Sequence, residues 1–113
     1  MKLRNGEEVR LTYNLYSLIE IEKEFGGITK LDDIFDDEKT LLQNVLTMLV
    51  IGANTTILLD NEDRGENKPL YTKRKLALSI TLTDLASLQA EIMEAMTESQ
   101  KQTFEVERDD TKK

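Results

Sequence analysis

The chain has 113 residues, 39% of them hydrophobic and 33% charged, with 22 acidic against 15 basic side chains and a net charge of −7. That length fits one domain with a thin core, and the acidic balance disfavours nucleic acid and anionic membranes as partners, because it repels phosphate. Cysteine and histidine are both absent, which excludes a disulfide framework and removes the thiol nucleophile, the commonest general base and the commonest metal ligand.

Residues 2–12 read as a short β-hairpin around Asn5-Gly6, a strong turn signal because both residues accept positive φ. Val9 and Leu11 alternate with Glu8 and Arg10, so one face is apolar. Asn14 then suits an N-cap, and Leu15, Leu18, Ile19, Glu22 and Phe25 follow at helical spacing until Gly26, which suits the left-handed position that ends a helix. Residues 29–35 read as a second short helix with Leu31, Ile34 and Phe35 facing in. A third runs from about 38 to 54, its apolar stripe widened by Met48 and Ile51 until it covers nearly all sides. Such a helix is buried or lies in an interface.

Residues 55–59 are ambiguous between strand and helix, because they are β-branched but too few for a period to show. Residues 60–68 read as an exposed polar loop, closed by Pro69, the one proline. A short helix is expected over 72–80 with Leu76 and Ile80 on one side. Thr83 or Asp84 would cap a last helix to about residue 100, with Leu85, Leu88, Ile92, Ala95 and Met96 as its stripe. The fold expected is therefore mostly α: four to five helices in one small domain over 1–102, with a short N-terminal β-hairpin, and a disordered charged tail over 103–113.

The longest unbroken apolar run, 48–51, falls far short of the roughly 18 residues of a membrane span, and the opening residues run straight into polar ones. A cytoplasmic location is expected. No catalytic, cofactor or metal site is expected either. Asp60, Glu62 and Gly65 match three positions of a calcium loop, but Arg64 and Tyr71 stand where ligands are needed. The cluster Asp32, Asp33, Asp36, Asp37 and Glu38 lacks any phosphate cradle and reads as solvated caps. Lys73-Arg74-Lys75 reads as a charged helix start.

Glu22, set among Leu18, Ile19 and Phe25, reads as a structural carboxylate that must reach a basic partner, since unpaired burial is costly. Val50 and Ile51 suit self-association or a client segment, and Met93 and Met96 suit an adaptable groove.

Residues 11–26, with Asn14 ahead of Ile19-Glu20-Ile21-Glu22 and then Gly26, resemble the opening of bacteriophage tail assembly chaperones. In that family an asparagine-capped helix carries a Leu/Ile-Glu pair and ends at glycine. Residues 80–85 and the helix holding Glu94-Ala95-Met96-Thr97-Glu98-Ser99 are similar to the family's last helix. The resemblance implies a protein of a long-tailed phage or prophage of a Gram-positive host. It would bind the tape measure protein and the major tail tube protein in the host cytoplasm and be absent from the mature virion. The alternative is a small acidic regulatory or adaptor protein that binds a basic protein.

Overall fold

The computed structural model describes residues 2–4, 6–27 and 31–111, with backbone alone for 31–33 and 99–111. Asn5 of the expected turn, residues 28–30 at the expected start of the second helix, and residues 112–113 of the tail lie outside the described residues. Five α-helices form: α1 Leu15–Phe25, α2 Leu31–Asp36, α3 Leu41–Arg64, α4 Lys73–Ser79 and α5 Leu85–Thr111, with a 3-10 turn Leu82–Asp84 leading into the last. α3 is the hub, with α1, α2, α4 and α5 all packed against it. Ile21, Met48, Leu49, Leu76 and Ile92 are fully buried at the centre. Burying each such side chain stabilises the fold by about 1.5–3 kcal/mol.

The β-hairpin does not form. Among the described residues there is no strand, only a single antiparallel bridge between Lys2 and Glu8. The groups that would extend a ladder are used elsewhere. The Arg4 N–H donates to the carbonyl of Ser79, the last residue of α4 (3.2 Å), and the Thr12 N–H donates to the Gly52 carbonyl of α3 (3.1 Å). Leu3 and Val9 are nevertheless buried in the core, so the segment acts as an apolar plug rather than a sheet.

α1 begins as its sequence suggests. Asn14 accepts from the Ser17 N–H (3.1 Å) and its own N–H donates to the Ser17 hydroxyl, a reciprocal cap. Gly26 takes φ +76° and its N–H donates to the Glu22 carbonyl. The buried face, however, is rotated from the one expected. Because the cap already satisfies the Ser17 hydroxyl, Ser17 can sit fully buried with Ile21, and Leu18 and Phe25 fall half-buried beside them. Leu15, Ile19 and Glu22 turn outward.

α3 runs ten residues past its expected end at 54, through the ambiguous 55–59 and half of the expected loop. The Thr55 hydroxyl turns back to the Ile51 carbonyl (2.8 Å), and the Thr56 hydroxyl lies 2.8 Å from the Arg10 carbonyl and 2.7 Å from the Thr12 hydroxyl, so tertiary contact with the N-terminal segment holds these β-branched residues in the helix. Gly65, at φ +66°, ends the helix. Two asparagines of α3 then clasp the returning chain: Asn54 exchanges both hydrogen bonds with the backbone of Tyr71 (2.7 and 2.9 Å), and Asn61 does the same with Lys68 (3.0 and 3.2 Å).

α3 is long and apolar enough to cross a membrane by length and composition, with a mean hydropathy of 1.5 over its best 18 residues. Here it is the centre of a helical bundle. α5 continues as helix through Thr111, where the sequence reading ended it near residue 100 and expected disorder. Residues 101–111 contain neither glycine nor proline and several good helix formers, so extending the helix costs little per residue.

Candidate partner-binding groove

α4 and the start of α5 meet at 96°. Ile80 and Thr81 make the corner in extended conformation. The Thr81 hydroxyl holds it, 2.7 Å from the Thr83 hydroxyl and donating to the Asp84 carboxylate at 2.9 Å. Two helices crossing at a right angle cannot both lie flush on α3. The wedge left between them is a groove of about 270 Å³ over the first half of α3. Leu42, Val45, Leu46 and Leu49 of α3 form one wall. Ala77, Ile80, Leu82, Leu85 and Leu88 form the other, and Gln43 and Thr81 are the two lining residues with polar side chains. At its mouth Leu42 is 56% exposed and Leu82 81% exposed. Exposed leucines continuous with an apolar trough make this a candidate interaction surface.

A second apolar area lies on the outer face of α1, where Leu15, Tyr16 and Ile19 are exposed one turn apart. Another hollow, of about 470 Å³, has Val9, Leu11, Tyr13 and Ala95 beside Glu8, Glu91, Glu94, Glu98 and Arg10.

The residues read from sequence as partner-binding are not brought together on an open surface. Met96 is 6% exposed and belongs to the core, and Val50 and Ile51 are half-buried against it. Met93 alone of the four is exposed. Glu22 is exposed as well, so the burial argument for a structural ion pair does not apply to it. Asp60 and Glu62, the residues of the calcium reading, lie within α3 rather than a loop. Among the described residues no three carboxylates converge to hold a metal ion.

Lys73, Arg74 and Lys75 open α4. Lys75 lies 5.1 Å from the centre of the Tyr71 ring and 4.0 Å from Glu7, which offsets cations at a helix N-terminus. Tyr71 donates to the Glu7 carboxylate at 2.8 Å. Burial, and then the bonded Glu7 carboxylate, push the Tyr71 phenol up to about 12.

Leu42 and Leu82 were the residues that sequence reasoning missed as a site. The all-round apolar character of α3 carried half the signal, since one core cannot cover every side of a helix. Leu82, isolated between threonines, carried none until the corner placed it beside α3. Comparison with family models, with curated proteins and with solved structures finds no match.

Proposed function

We propose that the protein binds helical segments of other proteins in the groove between α3 and the α4–α5 corner, and that it serves as a tail assembly chaperone of a long-tailed phage. The supporting observation is the uncharged groove with Leu42 and Leu82 open at its mouth. A tape measure protein is a long helical client whose apolar stripes need cover before the tail tube forms around it. Many copies of a chaperone of modest affinity suit that task, because linked sites multiply weak contacts. The tail tube protein is the second client in this reading. The work is done in the host cytoplasm without catalysis, and the chaperone leaves before the virion is complete.

Co-expression with a tape measure protein encoded beside it tests the reading. The client should become soluble with the wild-type chain and stay insoluble with a Leu42→Ser/Leu82→Ser variant. Equal solubility with and without the chain removes the chaperone function. The acidic hollow at Glu8, Glu91, Glu94 and Glu98 favours the alternative of an adaptor for a basic protein. In that case the chain would co-purify with a basic enzyme instead.

A further inference from the structure

We infer that an extended segment of a partner protein, carrying lysine or arginine, pairs with the backbone edge at Leu11 and lies along the acidic side of α5. This rests on the adaptor reading, to which it gives a mode of binding. It does not depend on the apolar groove, with which the acidic hollow shares no lining residue.

The edge is what the unfinished hairpin leaves behind. Val9 to Tyr13 run without turn, bend or helix. In an extended chain the backbone groups of successive residues point to opposite sides. The Arg10 carbonyl accepts from the Thr56 hydroxyl (2.8 Å) and the Thr12 N–H donates to the Gly52 carbonyl (3.1 Å), so both turn toward α3. Leu11, between them, turns its N–H and C=O the other way, to the side on which the Leu3 N–H meets the Glu7 carbonyl (2.8 Å). The bridge of Lys2 and Glu8 is the whole of the strand pairing there among the described residues. Leu11 is half-buried, yet among the described residues neither of its backbone groups meets a partner. A peptide strand supplies both partners at once, as in strand addition to any open edge.

The charge of the occupant follows from the lining. Residues 8–13 form one wall of the hollow, and Glu91, Glu94, Ala95 and Glu98 of α5 form the other. Arg10 is the one cation in that lining, against Glu8 and the three glutamates of α5. Lys2, opposite Glu8 across the bridge, offsets one carboxylate more. Lys101 stands on the next turn of α5, and Glu105 on the turn after it. Glu94 and Glu98 are exposed, and among the described residues their carboxylates make no ion pair or hydrogen bond, so a cation reaching them displaces nothing. A second copy pairing by the same edge would bring the same glutamates with it, and like charges would oppose.

Labelled peptides of about eight residues, alternating threonine and lysine, test this on the full chain by fluorescence anisotropy. Threonine favours the extended form, and alternation puts the lysines on one face. The lysine peptide should bind at least about tenfold tighter than its threonine–glutamate counterpart at low salt. Methylating the backbone nitrogens of one alternate set of its residues should weaken binding about fivefold or more, and methylating the other set should not. Bound peptide should slow hydrogen exchange at the Leu11 amide. A Glu94→Gln/Glu98→Gln variant, changed at two exposed positions that leave the fold intact, should bind about threefold weaker or less and show a flatter salt dependence.

Equal binding of the glutamate peptide, or unchanged affinity in the double variant, overturns the charge assignment. Full binding by both methylated forms, or unchanged exchange at the Leu11 amide, overturns the strand pairing. Dimerisation of the chain without peptide, with the Leu11 amide protected, assigns the edge to a second copy and overturns the choice of partner. A basic protein that binds with the Leu11 amide unprotected overturns the inference and leaves the adaptor reading standing.

Discussion

The ring of Tyr13 lies so close on the backbone of Gly52 that a Cβ there would come within 2.6 Å of the Tyr13 Cζ and phenol oxygen. The ring cannot swing away freely. Tyr13 is 2% exposed, and its hydroxyl donates to the Met48 carbonyl one turn earlier at 2.7 Å. This contact seats the N-terminal segment on the hub helix and fixes where α1 begins.

Two opposed effects therefore meet in Gly52→Ala. Alanine favours a helix interior over glycine by about 1 kcal/mol. Overpacking typically costs about 1–3 kcal/mol, and displacing the ring also breaks the Tyr13–Met48 hydrogen bond, worth about 1 kcal/mol more. The overlap should win, with the urea midpoint falling relative to wild type. A midpoint that rises would mean that the ring relaxes without cost.

Alkaline pH should expose the same contact. Burial pushes the Tyr13 phenol well above its ordinary value, and the Tyr71 phenol is raised to about 12. The unfolded chain releases these protons near pH 10, while the folded chain still holds them. The unfolded state then binds fewer protons, so stability falls as pH rises from about 10 toward the folded values. Tyr13 should contribute a slope approaching about 1.4 kcal/mol per pH unit, and the more exposed Tyr71 much less. Denaturation midpoints between pH 9 and about 11.5 should drop steeply in wild type and less steeply in Tyr13→Phe. Parallel curves would contradict this.

The asparagine clasp should be worth more than its surface position suggests. Asn54→Ala removes both hydrogen bonds to the Tyr71 backbone and should destabilise the fold by about 1–2 kcal/mol. Amide hydrogen exchange should become faster at Tyr71, whose N–H donates to Asn54, while the Lys68 amide, held by Asn61, stays the more protected of the two. Unchanged exchange at Tyr71 would show that the return chain holds itself.

Asn14→Ala should cost about 1 kcal/mol through loss of the α1 cap. Glu22→Ala, at an exposed position, should stay within about 0.5 kcal/mol of wild type. Chemical denaturation of the two variants side by side checks both. A larger loss for Glu22→Ala would restore the structural role first read for it.

Where the chain punctuates itself, its fold was legible. Asn14 and Gly26 bound α1, because each bonds a backbone group within four residues of itself and needs no distant neighbour. Leu88, Ile92 and Met96 showed the buried stripe of α5 for a similar reason, as helical spacing alone defines a face. Features made by distant contacts were hidden. The last ten residues of α3 hold β-branched and acidic side chains that read as an ambiguous run and then a loop, and tertiary clasping by Asn54 and Asn61 decides for helix. The outward turn of Glu22 depends on Ser17 being small and already satisfied, a fact of packing rather than of period. The groove was least legible, since Leu42 and Leu82 are 40 residues apart and meet through a corner whose angle no local pattern encodes.

The paired asparagines also act as a ruler. Seven helical residues separate Asn54 from Asn61 and advance about 10.5 Å, while three extended residues from Lys68 to Tyr71 advance roughly 10 Å. The two lengths agree only at this spacing. Adding or deleting one residue between the asparagines would swing one amide by about 100° around the helix and unfasten half the seam. Length changes beyond Gly65 and before Lys68 leave the match untouched, so the molecule can vary its loop tip freely but not the rod beneath it.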